Sequence, residues 1–432
     1  MTGSSRPAPR RVLMLQGPPG RFWSDLAPAL TEAGAEVHHM RLCTADALFF
    51  RAAPGVHLHA HRGGPESFAA RIGGFLDEHG ITDVLSYSDR HPYHRAAAAA
   101  AEARGARAWA VEFGYLRPDW ITFERGGMGA WSRFPTDPAA IRALAERFHP
   151  EPLDLAPRFR HGFASEAVNE VLFNLANALF FWPYPGYRAE AYYHPVSEYL
   201  SWAARLPFAA RRERAAAEAA RRAAQGRYFL VALQLESDRQ IRDNSAWEGQ
   251  REMVETLLES FAAHAHESDR LLFKTHPLDN GLEGWPKTVA RIAAETGISG
   301  RVEVLQGGPL DLLIRGAQGV VATNSTVGLH AIAAGRPMLA TGTAIYDLPG
   351  LTHQGPMGRF WRAPGAPDPG FADAFMRALA GTIQVRGSFY APEGRRAAAR
   401  EIAARLTAAE CPGDAAALPV PPRLAAHAAL KA

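Results

Sequence analysis

Two strand-like segments in the second half of the chain end in residues suited to binding a phosphate. The stretch LLFKTHPLDNG, residues 271–281, begins as a buried strand and places Lys274 and His276 at its exit, where Pro277 fixes the turn. Lysine supplies a fixed charge, and histidine can donate to a phosphate oxygen or protonate a leaving phosphate. Histidine before proline is also common in ordinary turns, so this segment alone leaves both interpretations open.

The second segment is GVVATNSTVGLHAIAAGRP, residues 319–337, in which a short apolar strand is followed by Asn324, Ser325 and Thr326. The pattern predicts that these three residues lie at the N-cap and first turn of a helix, where backbone N–H groups and hydroxyls attract an anion. A well-capped helix is the simpler interpretation. We expect the two segments to form halves of one phosphate site.

The sequence has no D-x-D motif, and no acidic cluster at a predicted strand end suggests a metal, so we expect neither a metal nor a cofactor. A nucleoside diphosphate leaving group usually needs a divalent cation or several basic residues, whereas a nucleoside monophosphate carries a single phosphate. These residues therefore favour a CMP-sugar as the donor.

A pair of carboxylates follows another predicted strand, in the stretch ALQLESDRQ, residues 232–240. Glu236 and Asp238 lie among Gln234, Arg239 and Gln240. Solvated loops often have this composition. However, the carboxyl end of a parallel strand is also where a catalytic carboxylate would be placed.

The first half of the chain carries polar loops after three predicted strands, and charged residues alternate there with aromatic ones. This mixture is typical of a site for a sugar or a lipid headgroup. The loops are GPPG at 17–20, SYSDRHPYHR at 86–95 and VEFGYLRPDWITFERGGMG at 111–129. Their candidate binding residues are Gln16, Arg21, Asp89, Arg90, His91, His94, Glu112, Tyr115, Arg117, Asp119 and Glu124.

Strands and helices alternate in both halves of the chain, which predicts parallel sheets covered on both faces. The expected fold is α/β and GT-B-like, with two Rossmann-like, doubly wound domains facing an inter-domain cleft. The predicted boundaries are 1–205 for an acceptor-binding domain with a helical extension, 206–226 for a basic helical linker, 227–385 for a CMP-sugar-binding domain, and 386–432 for a partly flexible helical tail.

Composition limits the classes of function. A formal net charge of +3 does not indicate a nucleic-acid binder, and the two cysteines form no metal or disulfide pattern. Without a stretch of eighteen apolar residues, any membrane contact should be peripheral. Two further features allow two interpretations each. The histidines of HLHAHR at 57–62 could bind zinc, but no carboxylate lies near them in sequence. The arginine-rich helix predicted at 210–227 is either a solvated connector or a contact for anionic lipid.

Eight segments resemble, in order, the capsule polysaccharide biosynthesis/export family, with closest likeness to its β-Kdo transferases. They run from about Val12 to Tyr390, nearly the whole chain. The segments are LQGPPGRFWSDLAPALTEAGAEV, YSDRHPYHRAAAAAA, EFGYLRPDWITFERGG, LQLESDRQI, FKTHPLDNG, NSTVGLHAIAAGRP, YDLPGLTHQG and GSFY.

The resemblance implies a GT-B enzyme that transfers Kdo from CMP-β-Kdo to a (lyso)phosphatidylglycerol acceptor with retention. Asp238 would be the nucleophile of a Q-x-x-x-D motif, Glu112 would activate the acceptor hydroxyl, and His276 would assist departure of CMP. Arg117 or Arg239 would meet the Kdo carboxylate. The donor-binding set is Gln234, Lys274, His276, Pro277, Asn324, Ser325, Thr326 and Gly328.

The resemblance also implies a place in the cell and a set of partners. The protein would be cytoplasmic and peripheral at the inner face of the inner membrane, where it would meet an anionic phospholipid acceptor and other capsule biosynthesis or export proteins. Two other classes compete with this interpretation. One is a GT-B transferase or epimerase acting on other sugar nucleotides, and the other is a non-catalytic adaptor in capsule export.

Overall fold

The computed structural model describes residues 9–159, 163–189, 192–193 and 195–431. The chain forms two compact units. Unit 1 comprises Met1–Glu190 and Phe375–Pro422, and unit 2 comprises Ala191–Ala374 and Arg423–Ala432. Each unit contains one mainly or entirely parallel sheet, so the predicted α/β fold with two Rossmann-like units is confirmed.

Twelve strands form the two sheets. The order is β12-β6-β5-β4-β1-β2-β3 in unit 1 and β11-β10-β7-β8-β9 in unit 2. The strands are β1 (Arg11–Met14), β2 (Glu36–Arg41), β3 (Val56–Ala60), β4 (Asp83–Tyr87), β5 (Arg107–Phe113), β6 (Trp120–Arg125), β7 (Tyr228–Ala232), β8 (Arg270–Lys274), β9 (Val302–Leu305), β10 (Gly319–Ala322), β11 (Met338–Ala340) and β12 (Gln384–Arg386).

Helices connect and cover these strands, as expected for right-handed crossovers between parallel strands. They are α1 (Phe22–Glu32), α2 (Thr44–Phe49), α3 (Pro65–Glu78), α4 (Pro92–Glu102), α5 (Pro138–Phe148), α6 (Phe163–Leu179), α7 (Pro195–Arg205), α8 (Ala209–Ala223), α9 (Arg239–Asn244), α10 (Gln250–His264), α11 (Trp285–Glu295), α12 (Leu310–Gly316), α13 (Val327–Ala333), α14 (Met357–Arg362), α15 (Pro369–Thr382), α16 (Pro392–Thr407), α17 (Pro412–Ala415) and α18 (Leu424–Lys431).

Unit 1 has a core on each face of its sheet. On one face, apolar residues of β1, β4 and β5 pack with α1 and α16. On the other face, α3 and α4 cover the same strands. The parallel strands β1, β4 and β5 therefore end side by side at one edge of the sheet. Beyond β5, β6 pairs with β5 and β12 pairs with β6, and both pairs are antiparallel.

Unit 2 is built around β7, which lies between β8 and β10 and is buried throughout. Phe229 and Val231 of β7 pack with Phe273 of β8, and this core is covered by α10, α11 and α14. All four strand pairs are parallel. The carboxyl ends of β10, β7 and β8 consequently lie next to one another.

The structure divides the chain at different positions from those expected from sequence. Residues 375–422 belong to unit 1, because β12 pairs with β6 and because Ile402 and Leu406 of α16 are buried in the unit 1 core. The expected partly flexible tail contains α16, α17 and α18. In the described part of the chain, no helix combines the length and the apolarity required to span a bilayer.

Candidate functional site

The predicted donor residues of unit 2 follow three neighbouring strands. Gln234 and Asp238 follow β7, Lys274 and His276 lie at the end of β8, and Asn324 follows β10. The two predicted halves of the phosphate site therefore lie on either side of β7 and not on adjacent strands. The carboxylate loop occupies the central position of the three.

The side chain of Gln234 connects Asp238 to Asn324. Its Nε2 donates to Asp238 Oδ2 and to Asn324 Oδ1, each at 3.1 Å, and its Oε1 accepts from the Asn324 backbone N–H at 3.3 Å. Both amide hydrogens and the carbonyl oxygen are used, which fixes the orientation of the amide. Gln234 is 8% exposed, whereas Asp238 is only half-buried. The glutamine thus holds the carboxylate in one position at the end of the strand.

Gln250, at the start of α10, holds Gln234 in place, and sequence analysis missed this residue. Its Oε1 accepts from Gln234 N and its Nε2 donates to Gln234 O, both at 2.7 Å. Glu236 accepts from the backbone N–H of Gln250. Of the two carboxylates in this loop, Glu236 therefore caps the N-terminus of α10, which leaves Asp238 as the candidate for chemistry.

We expect Gln250→Ala to destabilise the protein by about 1–3 kcal/mol, because it leaves two buried backbone groups of Gln234 unsatisfied. Gln250 is 1% exposed, so water cannot replace these bonds. The variant should also lose activity, since Gln234 positions Asp238. Urea unfolding with an activity assay tests both effects. Gln225→Ala, in the exposed turn after α8, is the control, and equal stability of the two variants would contradict this role.

His276 and Lys274 offer two different hydrogen-bond donors. The Nδ1 of His276 accepts from the Leu278 backbone N–H at 3.1 Å, so the neutral ring carries its proton on Nε2. Lys274 is 7% exposed, and burial lowers its pKa although Glu213 opposes this effect. Among the described residues no hydrogen bond to its ammonium is found. A phosphate near Lys274 would offset the cost of burying its charge.

Three of the predicted donor residues lie where α13 begins. Thr326 is the N-cap but makes no side-chain capping bond, and Asn324 and Ser325 precede the helix. Because α13 has only seven residues, we assign no anion site to its N-terminus. At Gly328 a Cβ would lie 2.3 Å from the ring of Tyr346, whose hydroxyl donates to Ser325 O. Gly328 therefore allows Tyr346 to pack.

The predicted acceptor residues Gln16, Asp89 and Glu112 follow β1, β4 and β5, three neighbouring strands of unit 1. Burial raises the pKa of Glu112 to about 7, although hydrogen bonds from the Phe113 backbone and the Tyr87 side chain and the charge of Arg117 oppose this effect. A carboxyl group with this pKa can exchange a proton near neutral pH. Glu112 is thus well suited to act as a general base.

Two arginines of the unit 1 loops are exposed, and the charge of one of them, Arg117, acts on Glu112. Arg117 lies over the Phe113 ring at 4.8 Å, and no ion pair involves it among the described residues. Arg21 contributes to a cavity of about 240 Å³ with Ser165, Asn169 and Tyr390. Burial raises the pKa of Tyr390, and the charges of Glu166, Glu170 and Glu112 add to this effect.

Five of the predicted acceptor residues hydrogen-bond or stack within the unit 1 loops. Asp89 accepts from Met128 N at 2.9 Å, and Arg90 stacks on Trp131 at 3.8 Å. The remaining three are His94, Glu124 and Tyr115. His94 is buried and contacts Ser88 O through its Nδ1. Glu124 is 1% exposed and accepts from the hydroxyls of Ser132 and Tyr115. These contacts show that the five residues order the loops of unit 1, and their contact with an acceptor stays a prediction.

Other predicted residues divide between the site and its support. Gln16 accepts from the Tyr187 hydroxyl at 3.2 Å through its Oε1, so its Nε2 can still donate. Asp119 accepts from the backbone N–H groups of Arg158 and Phe159 and is structural. Pro277 is exposed beyond the end of β8. The side chains of Arg239 and Gln240 lie outside the described residues.

The strand ends and their polar residues define an α/β protein with two candidate ligand-binding edges, one in each unit. The family model for capsule polysaccharide biosynthesis protein matches residues 82–390. This chain belongs to that family.

Curated relatives match over most of their length. The chain is 29% identical over 388 residues to the Capsule polysaccharide export protein KpsS of Escherichia coli. The matched region covers 88% of this chain and 97% of that protein. It is 30% identical over 388 residues to the Capsule polysaccharide modification protein LipB of Neisseria meningitidis serogroup B, covering 88% and 91%.

A solved structure is similar at a greater distance. It is KpsC of Thermosulfurimonas dismutans, described as a beta Kdo 2,7 transferase, with 14% identity and a TM-score of 0.44 over 92% of this chain and 99% of that chain.

Proposed function

We propose that this protein is a retaining glycosyltransferase that moves Kdo from CMP-β-Kdo to a phosphatidylglycerol-type lipid. The observation that carries the proposal is the arrangement at the end of β7, where Gln234 holds Asp238 and Asn324 between the strand ends that bear His276 and Ser325. Membership of the capsule polysaccharide family and the resemblance of its motifs to β-Kdo transferases support the assignment.

On the donor side, Asp238 attacks the anomeric carbon of Kdo, and the bond from that carbon to the CMP phosphate breaks. The Nε2–H of His276 and the ammonium of Lys274 stabilise the departing phosphate. No second phosphate has to be neutralised, so a divalent cation is not needed in this step. The product of the step is a glycosyl ester of Asp238 and free CMP.

On the acceptor side, Glu112 takes the proton of the lipid hydroxyl, and the resulting alkoxide displaces Asp238 from the sugar. Two inversions at one carbon give overall retention. Arg117 and Arg21 are the exposed cations of this edge, which suits an anionic headgroup. Arg395 also lines the cavity but is paired with Asp25 at 2.7 Å, so Arg21 is the better phosphate ligand there.

An apolar surface on α6 fits the acyl chains of such a lipid. We define it as the exposed face of α6 with the three residues that follow it. The helix repeats apolar residues at intervals of three and four on this face, while Phe173 and Ala176 are buried against α2 on the other. Exposed fractions range from 41% to 62% for Val168, Val171, Leu172, Leu175, Leu179, Phe180, Phe181 and Trp182.

A bilayer is the occupant that these residues favour. Ser165 and Asn169 of the same helix line the cavity that contains Arg21, so polar headgroup ligands lie next to the apolar face. Clustered Phe and Trp beside an amphipathic helix are typical of proteins that lie in the membrane interface. We infer that the protein binds the membrane through this surface and takes its acceptor from the bilayer.

We expect the double variant Leu172→Asp, Phe181→Asp to bind phosphatidylglycerol vesicles at least tenfold more weakly, because two charges would enter the apolar interface. Co-sedimentation with vesicles measures the binding. Leu312→Asp is the matched control, since Leu312 is 67% exposed on α12 of unit 2. Equal binding by the double variant and the control would show that the α6 surface does not contact lipid.

The donor assignment is tested by nucleotide release. The purified protein is given a lipid acceptor with either CMP-Kdo, generated in the reaction mixture because it is labile, or UDP-N-acetylglucosamine. We expect CMP release from the first and no UDP release from the second. Release of UDP alone would favour a different sugar-nucleotide enzyme, and release of neither nucleotide would favour a non-catalytic adaptor.

A further inference from the structure

A cluster of four histidines and one glutamate lies at the far edge of the unit 1 sheet, away from the residues assigned to catalysis. Glu36 and His38 belong to β2, and His57 and His59 belong to the edge strand β3. His79 follows α3, which covers this face of the sheet. The parallel register pairs His38 with His57, so alternate side chains of the two strands meet on one face.

Three of these residues bring ligand atoms together. Glu36 Oε1 lies 3.1 Å from His38 Nε2 and 3.8 Å from His57 Nε2, and the three atoms all fall within 4.8 Å of one another. Three ligands on one ion at bonds of about 2.1 Å would be roughly 3.4 Å apart. The separation of Glu36 Oε1 and His57 Nε2 exceeds this value by about 0.4 Å, and the exposed His57 side chain is the one that would have to turn. The other Glu36 oxygen pairs with Arg11 at 3.1 Å, which anchors the carboxylate.

The remaining histidines can orient the ligands. His38 Nδ1 lies 3.1 Å from His59 Nε2, so a proton on Nδ1 would be shared with His59 and would leave Nε2 of His38 free to bind a metal. This is how ligating histidines are usually held by a second shell. The His79 ring lies 5.0 Å from that of His38 and 4.9 Å from that of His59 and limits their movement.

We propose that Glu36, His38 and His57 bind a divalent late transition metal ion, with Zn²⁺ as the best match. Two imidazoles and a carboxylate suit Zn²⁺ far better than Mg²⁺, and a water would complete a tetrahedral site. His57 is 55% exposed at its side chain, so the ion enters from solvent. His61, expected from sequence to share this face, instead contacts Ser67 and Gly64 and is not a ligand.

Because this metal site lies away from the acceptor residues, we assign it a role in stabilising unit 1. Glu36 is the first residue of β2 and pairs with Arg11 at the start of β1, whereas the acceptor residues lie at the opposite ends of the strands. The ion would join β2 to the edge strand β3, whose other side is unpaired. Metal binding to the folded state alone then stabilises unit 1 without taking part in transfer.

The test uses the full chain carrying no polyhistidine tag, stripped with a chelator and titrated with Zn²⁺ by calorimetry. We expect one Zn²⁺ per chain, a higher melting temperature with Zn²⁺ than with Mg²⁺, and visible Co²⁺ absorption bands of tetrahedral intensity. His57→Gln should weaken Zn²⁺ binding at least tenfold, and His59→Gln should weaken it by a smaller factor.

His266→Gln is the matched control, because His266 is an exposed histidine of unit 2. It should bind Zn²⁺ as the parent chain does. His57 is exposed, so its replacement should not unfold the protein. If the parent chain shows no saturable Zn²⁺ binding, or if His57→Gln binds it as tightly as the control, the proposal is wrong.

Discussion

Replacing Asp238 by asparagine is expected to lower the rate of Kdo transfer by about 10³-fold or more, as for other enzymes that lose their nucleophile. The amide oxygen of asparagine still accepts the hydrogen bond from Gln234 Nε2, so the loop keeps its structure. The amide cannot form the glycosyl ester, however, and the first step fails. A large loss of activity with an unchanged melting temperature therefore reports on chemistry.

The control for Asp238→Asn is the same substitution at a carboxylate that has no role in the site. Asp311 is exposed in the first turn of α12, and Asp311→Asn should retain nearly full activity. With the parent chain and CMP-Kdo alone, rapid quenching should yield an Asp238 peptide that is heavier by one Kdo residue. Full activity in Asp238→Asn, or an adduct on another peptide, would remove Asp238 from the mechanism.

Replacing Glu112 by glutamine should lower the rate by about 10²- to 10⁴-fold, the usual contribution of a general base. The parent enzyme should also show a pH dependence that the variant lacks. Because the pKa of Glu112 is about 7, the active carboxylate form increases as the pH rises from 6 to 8. Activity should rise roughly tenfold per pH unit below 7 and level off above it.

The same change should stabilise the protein at high pH. Burial raises the pKa of Glu112 above the usual 4.5 of a glutamate, so the folded state holds a proton more tightly than the unfolded state. Stability from this group is present below pH 4.5 and is lost as the pH rises to about 7. Glutamine is neutral throughout, and Glu112→Gln should therefore melt at a higher temperature than the parent at pH 8.

If Glu112 were purely structural, the opposite result would be expected. The Glu112→Gln variant would then be less stable than the parent at pH 8, and its loss of activity would be the same at every pH. Glu32→Gln, an exposed residue at the end of α1, is the control for both measurements. A pH profile that is unchanged in Glu112→Gln would exclude this residue as the base.

The sequence predicted the elements better than it predicted contacts. Buried apolar runs at 228–232 and 271–273 identified β7 and β8, because fully buried parallel strands read as continuous apolar segments. The order of strands within a sheet depends on long-range pairing, so the position of β7 between β8 and β10 could not be read from the alternation alone. The pairing of β12 with β6 was missed for the same reason.

Polar residues near strand ends showed where ligands could bind but not which side chains face them. Asp89, Glu124 and Glu112 are all carboxylates in polar loops near strand ends. In the structure, however, Asp89 accepts from Met128 N, and Glu124 accepts from Tyr115 and Ser132. Nothing in the sequence around Gln250 indicated its role, apart from its position at the start of a helix. Similarly, Glu36 lies 21 positions from His57 in sequence, and only strand pairing brings them together.

The measurement that tests the central claim most directly is the mass of a fluorescent phosphatidylglycerol after incubation with CMP-Kdo. The parent chain is predicted to increase the mass of the lipid by one Kdo residue, and Asp238→Asn is predicted to leave it unchanged. A lipid that stays unmodified with the parent chain and CMP-Kdo, or one that Asp238→Asn modifies equally fast, would contradict the proposed transfer.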